Sequence, residues 1–345
     1  SDLPCMDRRG SVNDLSLLDT LTRAHELVEL AGESPLVTAA LYRLLLAVLH
    51  RVFGPDSPGA WAALWKQGRW DEEALARYLG KWRHRFDLFA VDRPFYQWPD
   101  ERVKQVPASN MMHDAASGSN SMLLYQHTDA EHTVFTPAQA ARAVVVAQSF
   151  GLGGKAAGTT EVGTDGSCAR GAIFLAQGDT LFQTLALNLV RYPDKEYKPL
   201  PHHTDDLPAW EMDNPYQPDR QTPRGYLDCL TWQNRKIMLF PEETPEGVRV
   251  RRVTRGPALR LNMDMTDPMK LYFKVKDAKP DKPAFRLLRF TEDRALWRDS
   301  AALFRLHDDA LRVPHVFDWL ANLVYEGYIE SSQAVRYLAL GMASD

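Results

Sequence analysis

"SPLVTAALYRLLLAVLHRVFG", residues 34–54, reads as one complete helix with both ends marked. Ser34 is a capping residue, Pro35 suits a first helical position where no N–H is required, and Gly54 is a stop. Between them the apolar residues run nearly all the way round rather than along one stripe, and a helix apolar on every side is a buried one. Enclosing it takes a sizeable core, which 345 residues at 45% apolar content supply, as one large core or two modest ones. The longest unbroken apolar runs, such as Leu44 to Leu49, fall far short of the ~20 residues of a membrane span, and no signal-peptide pattern opens the chain. The expectation is a soluble, cytoplasmic protein with no membrane partner.

Outward from this helix, residues 15–90 read as helical. Ser57-Pro58 starts a second helix, and "DEEALARYLGKWRHRFDLF" carries apolar residues at helical spacing. Residues 91–135 are loop-rich, broken by prolines, serines, Gly118 and Asn120. Thr136-Pro137, with Gln139 placed for a capping box, opens a central helix that runs straight into a glycine loop, together residues 136–167. A mixed stretch follows over 168–225: "GAIFLAQGDTLFQTLALNLV" as a strand and then a helix opening near Asp179-Thr180, and a proline-rich excursion from Pro193 to Pro223 on the surface. Residues 226–290 are β-rich, with "YLDCLTW", "RKIMLFPE", "GVRVRRVTRG" and "KLYFKVKD" as short strands, and 301–340 return to helix. With no internal repeat and no regular β-α-β alternation, the class is α+β.

The glycine loop, "SFGLGGKAAGTTEVGTDGS", residues 149–167, holds six of the chain's twenty glycines. It fails as a Walker loop, because Ser149 stands at the first glycine and Ala156 at the Mg²⁺-binding hydroxyl position. Gly151 to Ala156 fit the loose dinucleotide pattern GxGxxA, but that fingerprint follows a strand and this stretch follows a helix. Two readings remain: a connector in which glycines only permit turns, or bare main chain, with Lys155 beside it, that lets a ligand edge approach.

Histidine–acid pairs, His113-Asp114, His202-His203 with Asp205 and Asp206, and His307-Asp308, offer a metal-dependent phosphohydrolase of the HD type. No HExxH and no spaced His-Asp-Asp pattern supports it, and solvated loop residues explain the pairs more simply. No GxSxG nucleophile elbow occurs. Cys5, Cys168 and Cys229 lie far apart, with no CxxC pair, so neither a disulfide framework nor a cysteine zinc site is supported; no metal and no cofactor are expected. The formal charge of -4 gives no global field for nucleic acid, so any polyanion must meet a local basic cluster. "RVRRVTRGPALR", residues 249–260, is one, with five arginines and no acid. In strand geometry Arg249 and Arg251 share a face and Arg252 points away; such a strand is either a charge-guarded edge or a phosphate and base contact. In "LTWQNRKIML", Trp232 reads as core, with Arg235 and Lys236 as two more cations nearby.

Several segments in order, "SPLVTAALYRLLLAVLHRVFG", "RFDLFAVDRPFYQ", the glycine loop, "RGYLDCLTWQNRKIMLFPE" and the terminal "YLALGMASD", resemble the CasA family, the large subunit of the type I-E CRISPR surveillance complex Cascade. The resemblance implies residues 1–345 as a single CasA-like N-terminal domain, with helices packed around short antiparallel sheets. It implies a subunit without catalysis of its own or cofactor, which inspects duplex target DNA for the short protospacer-adjacent motif (PAM), promotes unwinding and recruits a helicase-nuclease. Its other implied partners are the 5′ end of the guide RNA and the remaining Cascade subunits. On this chain the family's PAM loop corresponds to Gly151, Leu152, Gly153 and Gly154, with Lys155 just after. The loop near the guide RNA 5′ end corresponds to Asn120, Ser121, Met122, Leu123, Leu124, Tyr125 and Gln126, with Leu123 or Leu124 where the family places an aromatic. For a basic residue entering the minor groove, the candidates are Arg251, Arg252 and Arg255. Family members carry on beyond the equivalent of Asp345 into a strand-opening hairpin and a helical bundle. Paired cysteines that some relatives carry are absent here. The rivals to DNA recognition are the HD-type hydrolase and a purely structural adaptor.

Overall fold

The computed structural model describes residues 2–112, 133–191, 205–217, 220–262, 265–279, 282–289, 300–306, 308–330 and 335–342. The chain opens with β1 (Leu3–Asp7), β2 (Val12–Leu15), α1 (Leu17–Thr22) and β3 (Leu27–Leu30). These strands form an antiparallel sheet in the order β2-β1-β3, with Cys5 opposite Leu30. Residues 15–90 are therefore not helical throughout. Leu27 and Leu30 are buried at the edge that β1 offers, so backbone pairing with a distant strand overrides local preference.

Next comes α2 (Pro35–Phe53), capped by the Ser34 hydroxyl, which accepts from Val37 N–H, and closed at Gly54. At 19 residues and a mean hydropathy of 1.6 it matches a membrane span in length and composition, contrary to the count of unbroken apolar runs. Residues 39–50 are nevertheless all buried among protein, including Arg43, which is paired with Asp267. It is the core helix. Next along the chain are α3 (Pro58–Gln67) and α4 (Glu72–Lys81), whose caps are Ser57 and Asp71. The buried Trp61 stacks on Trp65 at 5.2 Å and donates its indole N–H to Ala186 O at 2.7 Å.

A short strand, β4 (Val106–Pro107), and a 3-10 turn at Ala108–Met111 precede α5 (Pro137–Phe150). The expected capping box is present: Thr136 Oγ1 accepts from Gln139 N–H at 3.3 Å, and Gln139 Oε1 accepts from Thr136 N–H at 3.0 Å. Beyond α5 the glycine loop forms a small hairpin of β5 (Gly154–Lys155) and β6 (Val162–Gly163). It returns through β7 (Gly171–Gln177) to α6 (Leu181–Leu187), which is capped by Thr180.

The segment "YLDCLTW", expected as a strand, instead opens with α7 (Tyr226–Leu230). The Asp206 carboxylate accepts from Leu227 and Asp228 N–H at 3.1 and 2.9 Å, so a carboxylate distant in sequence satisfies the helix start. A long hairpin follows, β8 (Arg235–Thr244) and β9 (Gly247–Pro257), with β4 on the far side of β9. Then come β10 (Tyr272–Lys274), β11 (Phe285–Leu287), α8 (Ser300–Leu303), β12 (Leu311–Arg312), α9 (His315–Tyr325) and β13 (Arg336–Met342). Among the described residues of 301–340, helix is thus confined to α8 and α9. Arg336–Met342 pair antiparallel with the whole of β7, whose apolar edge draws "RYLALGM" into a strand. The class is α+β, as expected, with helices packed around short antiparallel sheets.

Candidate nucleic-acid interface

The chain leaves the buried end of α5 at Gly151, whose N–H bonds to Ala147 O at 3.2 Å. Gly151 O accepts from Gly166 N–H at 2.7 Å, and Ser149 O from Cys168 N–H at 2.8 Å, so the two feet of the loop are tied together. Asp165 Oδ1 accepts from Gly153 N–H at 2.7 Å, and its other oxygen pairs with Arg170. Burial alone would raise the Asp165 pKa, but the Gly153 N–H and the Arg170 guanidinium reverse the effect and hold it below the usual range. Arg102 joins Asp100 to Glu161, and Lys104 N–H bonds to Ala157 O at 2.9 Å, clamping the hairpin from the side.

Most loop glycines have a reason within the chain itself. A Cβ at Gly151 would stand 2.5 Å from Ala147 O, at Gly153 2.8 Å from Gly163 O, and at Gly166 2.4 Å from Ser149 O. Gly154 differs. It is exposed, its φ lies outside the left-handed region, and a Cβ there would meet nothing within 4 Å. Leu152 beside it is half-buried, and Lys155 is exposed.

The basic strand divides between two places. A bulge sets Phe240 opposite Arg252 and Pro241 opposite Val250, which leaves Arg251 as the extra residue. Arg251 and Arg252 are consequently both exposed, instead of facing opposite ways. Arg251 lies 3.4 Å from Glu242, and Arg252 donates to Gln105 O at 3.3 Å, at the β4 side. Arg255, ~10 Å further along the strand, is half-buried and donates to Asn110 O at 3.0 Å. Its guanidinium is near enough to Arg235 to act on it: burial, and then the like charge of Arg255, push the Arg235 pKa down to about 10, still cationic at neutral pH. Arg235 reaches under the loop to Gly151 O and Leu152 O. Arg260 is exposed and donates to Val162 O on the hairpin at 3.0 Å. The structure thus gathers Lys155, Arg235 and Arg260 at the glycine loop, with Arg255 beyond Arg235 and Arg251 and Arg252 further along β9. Neither Arg235 nor Arg260 is among the site candidates drawn from the sequence, where Arg235 is named only as a nearby cation. Arg260 stands in the quoted basic run, whereas nothing local marks Arg235 as a partner of residues more than eighty positions away.

Asn120 to Gln126 lie outside the described residues, as do His113, Asp114, His202, His203 and His307. Of the acids paired with those histidines, Asp206 caps α7, Asp205 pairs with Arg224 at 3.0 Å, and Asp308 pairs with Arg305 at 2.6 Å. Among the described residues no group of three His, Cys, Asp or Glu side chains is arranged to hold a metal, and the three cysteines are free and buried.

A family model described as CRISPR-associated protein Cse1 matches residues 3–345. The chain is 34% identical over 351 residues to a CRISPR-associated protein CasA/Cse1 of Thermus thermophilus, an overlap of 97% of this chain and 65% of that protein. The crystal structure of Cse1 from Acidimicrobium ferrooxidans superposes with a TM-score of 0.81 at 27% identity, over 98% of this chain and 65% of the other. A chain of a structure described as a CRISPR RNA-guided surveillance complex reaches a TM-score of 0.83 over 100% of this chain and 71% of its own; at 24% identity this is a likeness of fold. The chain therefore spans 65% of the length of the Thermus and Acidimicrobium relatives. Matched from residue 3 to residue 345, it belongs to the CRISPR-associated protein Cse1 family.

Proposed function

We propose that this chain is the non-catalytic DNA-recognition part of a type I-E CRISPR RNA-guided surveillance complex, and that Gly151–Lys155 contact the minor groove of the target duplex at the PAM. Family membership supports the setting, as does the fold shared with a chain of an RNA-guided complex. The minor groove is ~6 Å wide and displays a degenerate set of acceptors, so it admits a slim probe and yields modest base discrimination. Main chain without side-chain bulk is such a probe, with Lys155, Arg255 and Arg260 alongside for phosphates. Guide–target pairing carries the long sequence readout, which leaves this subunit the short motif. The remaining Cascade subunits, the guide RNA 5′ end and a recruited helicase-nuclease complete the assembly, and neighbouring chains and RNA supply what a net charge of -4 does not.

The observation that carries this reading is Gly154, a glycine at which a Cβ would meet no neighbour and whose φ is not left-handed. The test is Gly154→Val in the reconstituted complex. The expected result is a drop of tenfold or more in affinity for a PAM-bearing duplex, ~1.4 kcal/mol, with unfolding of the chain unchanged. Wild-type affinity would overturn the proposal. Gly153 is a poorer probe, because its Cβ would press on Gly163 O and reshape the hairpin itself.

A further inference from the structure

Beneath the glycine loop lies a buried cation. Arg235 is 3% exposed. Its Nη2 donates to Leu152 O at 2.7 Å and to Gly151 O at 3.1 Å, and its Nη1 donates to Asn234 O at 3.0 Å and to the Asn234 side chain. Gly163 of the hairpin rests on the same guanidinium, where a Cβ would come within 3.3 Å of Nη1. No carboxylate forms an ion pair with Arg235 among the described residues. Asp165, the acid whose charge it feels, is engaged with Gly153 N–H and Arg170.

The main chain of Arg235 is held just as firmly. Its N–H donates to Gln148 Oε1 at 2.8 Å, while its carbonyl accepts from Gln148 Nε2 at 2.8 Å and from the Tyr216 hydroxyl at 2.9 Å. Gln148 is itself buried in the last turn of α5, immediately before the loop. The start of the loop is therefore gripped twice: by the helix that delivers it, and through Gln148 by the arginine underneath. In a planar trans peptide the C=O and N–H point in opposite directions. Drawing the Gly151 carbonyl inward onto Arg235 accordingly turns the Leu152 N–H outward.

We infer that Arg235 is a positioning residue which pre-orders the glycine loop, holding two of its carbonyls inward so that the Leu152 N–H and the bare main chain at Gly154 are presented to a nucleic-acid ligand in one conformation. A single planar guanidinium bridging two carbonyls does what a lysine ammonium cannot do with the same geometry. A loop ordered before binding does not lose that freedom on binding. This inference rests on the DNA reading above for its ligand, but not for the ordering of the loop.

The experiment compares wild type, Arg235→Lys and Gly154→Val in the full chain and in the reconstituted complex. Three readouts are taken: hydrogen exchange of the amides of residues 152–166, thermal unfolding, and the ratio of affinities for PAM-bearing and PAM-less duplexes. Arg235→Lys keeps the charge and is expected to speed loop exchange about tenfold and lower the affinity ratio about tenfold, with cooperative unfolding retained. A general loss of stability would leave that ratio unmoved at temperatures where both proteins are folded. Wild-type exchange and ratio in Arg235→Lys overturn the inference. Should Arg235→Gln be needed because the lysine variant folds poorly, the same two readouts decide. If Gly154→Val changes the ratio and Arg235→Lys does not, positioning fails while DNA reading stands. If Arg235→Lys loosens the loop and Gly154→Val leaves the ratio intact, the ordering role stands and the DNA reading falls.

Discussion

Arg43 sits in the middle of α2 at 1% exposure, with Nη1 2.9 Å from Asp267 Oδ2 and Nη2 donating to Cys229 O at 2.9 Å. Burial alone would lower its pKa; the Asp267 carboxylate more than reverses that and holds the guanidinium charged. Lys270, 2% exposed, donates to Ser167 O and Arg170 O, where the glycine loop returns. These groups join the core helix, the end of α7 and the base of the candidate interface. Arg43→Met deletes the cation and leaves Asp267 buried with the Met269 N–H at 2.9 Å and the field of Lys270. Breaking a buried pair costs about 3–5 kcal/mol. Because Lys270 offsets part of the stranded charge, the expected loss is at the lower end, ~3 kcal/mol. With a urea slope near 3 kcal/mol/M for a chain of this size, the midpoint moves down by about 1 M. Arg43→Met/Asp267→Asn, which removes both charges, is expected to recover about 2 kcal/mol of that loss in a double-mutant cycle. A single mutant within 1 kcal/mol of wild type, or a coupling near zero, would refute the reasoning.

Two further outcomes are expected. Burial pushes the His50 pKa down to about 3 from an ordinary 6.5, so below pH 6.5 the unfolded chain takes up a proton that the folded chain refuses. Stability then falls as pH drops from about 6.5 toward 3, by ~2 kcal/mol at pH 5. Urea titrations at pH 7 and 5 should show that loss in wild type and a smaller one in His50→Gln; equal losses in both reject the assignment. Thr136→Ala removes the cap that starts α5 and is expected to cost about 1 kcal/mol. The cost is measurable by denaturation, and no change would mean that the capping box does not stabilise the helix.

Much of the helical framework was legible in the sequence because helix ends are local. Ser34-Pro35, Ser57-Pro58, Thr136 with Gln139, and Thr180 each satisfy backbone N–H groups within three residues of themselves. The strands of the long hairpin were legible from period-two alternation. What failed were segments whose partners are distant. Tyr226–Leu230 is helical because Asp206 caps it, Leu27–Leu30 is extended because β1 lies beside it, and Arg336–Met342 is extended because β7 offers an edge. A one-residue bulge overturned the facing of Arg251 and Arg252, since a shift of one moves a strand's side chains to the other face.

Sequence by itself determined the α+β class, the buried helix at its centre, and a glycine loop just after a capped helix, all of which follow from short-range pattern. Only the tertiary structure decided which glycines of the loop are required by the chain's own packing and which one of them, Gly154, is not. Only it, too, brought Arg235 and Arg260 to the loop and left Arg251 and Arg252 further along the strand. The physical reason is that steric neighbours and charge proximity are properties of distance in space, and α5, β8 and β9 bring together residues that lie more than eighty positions apart.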